Sequence, residues 1–243
     1  MPVNKIVSFG DSFIYGYEMT NNDYGEKSWP GIAAEQLDLD FERRAIPGCS
    51  NESITRQILD YYSYTKNRHH LAVINWTWIH RWEFHNQHIP VNITSTRWGS
   101  IGIDGVVNSD LWVSGEEAEC FWRIYKKYMT VDELWSKHQT LQTVAAVVHF
   151  LERHSIPYVQ TYMDKLMFDT KWHAPGHVKS LQDLVKPSMQ NFGKDVNFLD
   201  WSRKQGFSIT DPGLHPLEDA HEAAAKLWVP VYKQTIEKYE EKQ

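Results

Sequence analysis

Three residue types that together can carry acyl transfer stand at opposite ends of this chain. Ser12 follows a short apolar run, Ile6-Val7-Ser8-Phe9, and the pair Gly10-Asp11. Asp211 and His215 lie near the far end, in Asp211-Pro212-Gly213-Leu214-His215-Pro216. A serine hydroxyl is a weak nucleophile until a base comes within hydrogen-bond reach. Histidine suits that role because its charge changes near neutral pH. A carboxylate can then orient the imidazole and stabilise its charged form. His215 is therefore expected within hydrogen-bond reach of Ser12. Gly10 allows a sharp turn ahead of the serine without a Cβ clash.

Positioning these groups requires an alternation of strands and helices. Lys5–Phe9 reads as the first strand, Phe41–Ala45 as the second, Leu71–Trp76 as the third and Pro157–Met163 as the fourth, with a fifth expected at Val196–Leu199. Between them, a helix near Ile32–Leu37 has Ser28 or Trp29 as its cap and Pro30 in its first turn. Pro47-Gly48-Cys49-Ser50 is a turn. Ser50 or Asn51 can then cap a helix to about Tyr64, with Ile54, Ile58, Leu59 and Tyr62 on one face. Met129 to about His154 is the longest helical stretch, and Thr130 and Glu133 have capping-box spacing. Pro216 opens a closing helix that Pro230 should kink or break. The pattern predicts a mostly parallel sheet covered by helices on both faces. In such sheets ligands bind at the carboxyl ends of the strands, where Ser12 would sit.

On these residues the chain resembles the SGNH hydrolases, also called GDSL esterases and lipases. The matches are Phe9-Gly10-Asp11-Ser12 at the first strand, Gly48 after the second, Asn75 at the polar end of the third, and Asp211 with His215-Pro216 before the last helix. The resemblance implies a flavodoxin-like three-layer α/β/α sandwich and hydrolysis of esters, often acetyl esters on carbohydrates, with no cofactor. Carried over by residue, Ser12 is the nucleophile, His215 the base and Asp211 its orienting partner. The backbone N–H groups of Ser12 and Gly48, with the Asn75 side chain, form the oxyanion hole. Two departures stand out. The family usually places the aspartate three residues before the histidine, and Asp211 is four before. Pro212-Gly213 can absorb the extra residue as a tight turn; otherwise Asp200 or a backbone carbonyl orients His215. The third block usually reads Gly-x-Asn-Asp, and here it reads Asn75-Trp76-Thr77-Trp78. Asn75 could instead point into the core, leaving Thr77 as the substitute donor.

Composition narrows the function classes. With 243 residues and 42% hydrophobic content, one α/β domain spanning 1–243 is expected. A net charge of −6 without a basic stripe argues against a nucleic-acid partner. Two cysteines, Cys49 and Cys120, make a disulfide framework unlikely to be the fold's basis and a reducing compartment the default. No signal-like or membrane-spanning apolar run is present, so the expectation is a cytoplasmic chain, although a virus-encoded one would look the same.

The segment 83–128 stands apart as a Trp-rich insert. It is expected to fold over the crevice as a lid and to supply a tryptophan from among Trp98, Trp112 and Trp122. A competing reading packs these rings into the core. Near Met167–Val178 a second loop is expected. His80, His85 and His88 with Glu83, and His173 with His177, match no zinc spacing, so no metal is expected. Thr77, Trp78 and Arg81 are candidate substrate contacts, and Arg81 with Glu83 could equally form a solvated ion pair. Plainer roles remain for others: Ser12 as a helix N-cap, Gly48 as a turn glycine, His215 as a cap, Cys49 as a small core side chain. The expectation is a serine hydrolase acting on an ester, with an O-acyl group on a carbohydrate or other polar molecule as substrate. The alternative is a catalytically weak or inactive glycan-binding module in the same crevice.

Overall fold

The computed structural model describes residues 2–65, 69–85, 98–102, 105–106, 120, 123–124, 127, 133–170 and 175–242. Its centre is a parallel sheet of β1 (Lys5–Gly10), β2 (Asp40–Arg43), β3 (His70–Trp76) and β7 (Tyr158–Tyr162), in the order β2-β1-β3-β7. Lys5 pairs with Asp40 on one side and His70 on the other, and Ala72 pairs with Tyr158. The chain runs outward from β1 to β2, then crosses back to place β3 on the other flank. The crevice between the carboxyl ends of β1 and β3 is thus a topological switch point, where α/β sheets bind ligands.

Strand periodicity divides the core in two. Val7, Phe9, Ala72, Ile74 and Trp76 face α3 (Asn51–Tyr64), α4 (Glu133–Arg153) and α5 (Gly176–Val185) through Ile54, Ile58, Leu141, Val144 and Val178. Ile6, Leu71, Val73 and Val159 face α2 (Trp29–Gln36), α6 (Phe198–Gln205) and α7 (Glu218–Glu240) through Trp29, Ala33, Phe198, Ala224 and Trp228. Alternate strand residues point to opposite faces, so both layers of helices find an apolar partner. This is the three-layer α/β/α arrangement.

Several expectations need correction. Val196–Leu199 is not a strand. Asn197 caps α6, its side chain accepting from the Asp200 N–H at 2.7 Å, and Phe198 and Leu199 are buried as helix residues. A parallel bridge from Gln160 to Met189 lies beside β7 instead. Pro230 does not break α7, because Ala224, Ala225 and Trp228 before it and Tyr232 after it bury on the same core. Such packing outweighs a proline cost of about 3 kcal/mol. The Ser28 side chain does not cap α2; its hydroxyl donates to the Gly25 carbonyl. The Trp29 N–H donates instead to Nδ1 of the buried His221 at 3.1 Å. Leu59 is exposed on α3, and Tyr61 takes its place on the buried face. The stretch expected as a loop near Met167–Val178 includes the end of a 3-10 turn, Lys165–Phe168, and the start of α5.

The insert begins with an antiparallel sheet of β4 (Trp82–His85), β5 (Trp98–Gly102) and β6 (Gly105–Val106). Glu83 is anchored to α3 by an ion pair with Arg56 at 2.7 Å. The rest of 83–128, including Trp112, Trp122 and most of the helix expected at its end, lies outside the described residues, as do Thr130 and the side chain of Trp98. The lid expectation therefore falls mostly on residues outside those described. Among the described residues, no helix is long and apolar enough to cross a membrane.

Candidate active site

Ser12 stands where β1 ends, at the start of the four-residue helix α1 (Ser12–Tyr15). Gly10 makes the turn at φ 150°, and a Cβ there would lie 2.6 Å from Ile14 Cγ2 and 2.7 Å from the Asn75 carbonyl. Only glycine fits. The N-cap of α1 is Asp11, not Ser12: its carboxylate accepts from the Phe13 N–H at 3.1 Å. The serine is buried, and its hydroxyl is free of that capping duty.

Asp11 is fully buried and is the hub of the site. Its Oδ1 also accepts from Asn75 Nδ2 at 3.3 Å, while Oδ2 accepts from Thr77 Oγ1 at 2.6 Å and from Arg81 Nη1 at 3.1 Å. Arg81 Nη1 further reaches Thr77 Oγ1 at 2.7 Å and the Cys49 carbonyl at 3.3 Å. A buried carboxylate needs a counter-ion and a full set of donors, and this one has both. Arg81 is thus an internal counter-ion rather than half of a solvated pair with Glu83, which binds Arg56. Asn51 fixes the third-strand exit, its side chain accepting from the Thr77 N–H at 2.8 Å and donating to the Thr77 carbonyl at 3.3 Å.

This network bears on two donor expectations. Asn75 is fully buried, and its amide is held between Asp11 and the Thr161 hydroxyl, which donates to Asn75 Oδ1 at 2.7 Å. It braces the turn from beneath. Thr77 commits its hydroxyl proton to Asp11 and is fully buried, so it neither replaces Asn75 as a donor nor lines the crevice for substrate. Backbone donors remain. Gly48 adopts φ 75°, a conformation that favours glycine. Neither its N–H nor that of Ser12 has a hydrogen-bond partner among the described residues.

His215 arrives on a short closed loop between Ile209 and Pro216, which form an antiparallel bridge. The Thr210 N–H donates to the His215 carbonyl at 2.9 Å, and the His215 N–H donates to Thr210 Oγ1 at 3.0 Å. The imidazole packs against Phe13, with ring centroids 5.2 Å apart, and against Tyr17 at 5.3 Å. That sets the imidazole beside the short helix that begins at Ser12. Among the described residues no hydrogen bond joins Ser12 to His215 directly. Catalytic hydrogen bonds are often long before substrate binds.

The partner of His215 differs from expectation. Nδ1 lies 2.9 Å from Glu18 Oε2, and the Thr210 hydroxyl donates to the same oxygen at 2.5 Å. Asp211 is exposed at the tip of the loop and has no contact with the imidazole. The extra residue of spacing is absorbed in the turn, as Pro212-Gly213 suggested, but the turn carries Asp211 outward. Asp200 is occupied in the first turn of α6. Glu18's carboxyl is held below its ordinary range, first by the Thr210 hydroxyl, against partial burial, and then by His215. No motif marks Glu18 in the sequence, nor the Asp11–Arg81 pair, and Asn51 reads there only as a candidate helix cap.

Other candidates take plain places. Trp78 is half-buried against the core that includes Phe13 and Ile14, close to the crevice. Cys49 is fully buried, donates to the Gly10 carbonyl at 3.1 Å, and burial pushes its thiol pKa far up. It is not a nucleophile. Among the described residues no group of three or more metal-ligating side chains comes together. Of the suggested histidine clusters, His88 and His173 lie outside those residues, as does the side chain of His85.

No protein-family model and no curated protein matches the chain. Solved structures do. The psychrotrophic esterase EstA from Pseudoalteromonas sp., inhibited by monoethylphosphonate, is 11% identical with a TM-score of 0.52, over 95% of this chain and 97% of that one. TesA is 11% identical with a TM-score of 0.52, over 96% and 99%. A carbohydrate esterase described as having divergent catalytic and non-catalytic binding functions is 13% identical with a TM-score of 0.50, over 96% of this chain and 66% of that one. At such identities the likeness is one of fold, and the fold is that of the SGNH hydrolases.

Proposed function

We propose that this chain, built on the SGNH-hydrolase fold, is a serine hydrolase that cleaves an ester, with an O-acyl group on a carbohydrate or similar polar molecule as its substrate class. The observation that supports the reading is the packing of the His215 imidazole against Phe13, the residue after Ser12, at the carboxyl end of β1. The imidazole is brought there from the far end of the chain, and the two ring centroids lie 5.2 Å apart. In this reading Ser12 Oγ attacks the ester carbonyl and His215 Nε2 takes its proton. The tetrahedral intermediate collapses, and the imidazolium delivers that proton to the departing alkoxide. Water then enters, loses a proton to His215 and attacks the acyl carbon; as the acid departs, the imidazolium returns the proton to Ser12 Oγ. The N–H groups of Ser12 and Gly48 would hold the oxyanion, each such donor being worth about 10²–10³ in rate. Their lack of other partners supports this role. The carbohydrate part draws on the likeness to a carbohydrate esterase and on the half-buried Trp78, two residues beyond the end of β3, as a candidate apolar surface for a sugar ring.

The second reading, a glycan-binding module without turnover, is favoured by one observation: the Thr77 hydroxyl donates its single proton to Asp11, and the buried Asn75 amide is tied to Asp11 and Thr161. A fluorophosphonate probe decides. Covalent labelling at Ser12, with both labelling and hydrolysis of a short aryl acetate lost in Ser12→Ala at unchanged circular dichroism, is the expected result. Full turnover in the purified Ser12→Ala protein would refute the hydrolase assignment. Absence of labelling in the wild type would favour the binding module.

A further inference from the structure

Resting on that reading, we infer that Glu18, and not Asp211, is the carboxylate that positions His215. Four independent features converge on it. The first is the contact itself, 2.9 Å from Glu18 Oε2 to His215 Nδ1. The second is bracing: Thr210 holds that carboxylate oxygen with its hydroxyl and both ends of the His215 backbone with its own N–H and Oγ1. The third is backbone conformation. Glu18 adopts φ 67°, a region that residues with a Cβ seldom occupy and that clusters at functional sites. The fourth is space. A Cβ at Gly213 would lie 2.3 Å from Glu18 Oε2 and 2.6 Å from Oε1, so the loop is cut away where the carboxylate sits. Asp211 has none of these features.

The consequence is an unusual division of labour. One short N-terminal segment, from Ser12 through the left-handed exit at Gly16 to Glu18, carries both nucleophile and carboxylate. The C-terminal loop supplies only the base and its threonine brace. The pair is also less enclosed than a fully buried carboxylate would be, with side-chain exposures of 14% for His215 and 35% for Glu18. Water screens part of the stabilisation of the imidazolium. Removing the charge should therefore lower kcat roughly 10–150-fold, the range of one charge-assisted hydrogen bond. That is well short of the roughly 10⁴-fold loss seen where a buried triad carboxylate is neutralised.

The test compares Glu18→Gln with Asp211→Asn in the full chain. Gln is nearly isosteric and can still accept from Thr210, so folding should be kept. The expected result is a kcat lowered roughly 10–150-fold in Glu18→Gln at unchanged KM, with Asp211→Asn within about twofold of wild type. In Glu18→Ala, added formate should restore part of kcat, a rescue that a purely structural role would not give. Activity in Glu18→Gln within twofold of wild type, or an equal or larger loss in Asp211→Asn, overturns the inference. The 15N shifts of the His215 ring read the same contact without turnover: the Nδ1–H tautomer should persist in Asp211→Asn and change in Glu18→Gln. A wild-type protein that fails to react with fluorophosphonate thus refutes the hydrolase reading alone, and the tautomer still judges Glu18. An unchanged tautomer in Glu18→Gln would overturn the positioning role.

Discussion

Replacing Arg81 with methionine should destabilise the fold by stranding a buried carboxylate beside the crevice. Asp11 is fully buried, and Arg81 is its charged partner at 3.1 Å. Three neutral donors also serve that carboxylate: the Phe13 N–H, Asn75 Nδ2 and Thr77 Oγ1. In Arg81→Met these three remain while the counter-charge is gone. Leaving a buried charge unpaired typically costs about 3–5 kcal/mol. The remaining donors, and the 14% exposure of the Arg81 side chain through which water can follow, place the expected cost near the low end, about 3 kcal/mol. For a chain of this length that corresponds to a fall in Tm of roughly 6–12 °C. Asp11→Asn should cost a similar amount by stranding Arg81. The double variant should cost less than the two singles together by about 2 kcal/mol or more, since neither charge is then left alone. Urea unfolding of the four proteins gives this coupling directly. A coupling below about 0.5 kcal/mol would show that the two charges are solvated independently and would refute the internal ion pair.

Two further outcomes concern His221 in α7 and Gly213 in the loop that carries His215. Burial pushes the His221 pKa down from its usual 6.5 to about 3, against the opposing hydrogen bond to the Pro216 backbone, and Nδ1 of the neutral ring accepts from the Trp29 N–H. The unfolded chain then binds a proton that the folded chain does not, so stability should fall as pH drops from about 6.5 toward 3, by about 1.4 kcal/mol per unit at most. The urea midpoint of wild type measured against pH should show this slope. The His221→Gln variant should lose it, and parallel slopes would disprove the neutral buried imidazole. Gly213→Ala should displace only the flexible end of Glu18, leaving Tm within about 2 °C while lowering kcat toward the Glu18→Gln value. Unchanged kcat in that variant would mean that Glu18 tolerates displacement.

Much of the fold was legible because its signals are local. The apolar runs at Ile6–Phe9 and Leu71–Trp76 are buried strands, and Ser50 caps α3 through the Ser53 N–H as its residue type suggests. Errors arose where tertiary packing decides. A short apolar run such as Val196–Leu199 has no period long enough to separate strand from helix. Asn197, able to satisfy the Asp200 N–H, tips it to helix. Pro230 reads locally as a breaker, yet side chains on both sides of it share one buried surface. Ser28 is the N-cap residue of α2 as expected, but its hydroxyl donates to the Gly25 carbonyl, and the Trp29 N–H is met by a histidine 192 residues away.

The site divides along the same line. Ser12, Gly48 and His215 each sit at an element boundary that sequence can mark. The partner of His215 is a matter of which way a turn points, and residue spacing carries no such information: Asp211 is close in sequence and turned to solvent, while Glu18 is 197 residues away and in contact. The third block shows why its departure from the family pattern is coherent. At Thr77 one oxygen must donate to Asp11 and accept from Arg81 at the same time. A hydroxyl can do both; an amide nitrogen only donates and an amide oxygen only accepts. A hydroxyl at this position therefore lets Arg81 contact both Thr77 and the aspartate beside Ser12. With that oxygen committed to the ion pair, the crevice is left with backbone donors at Ser12 and Gly48.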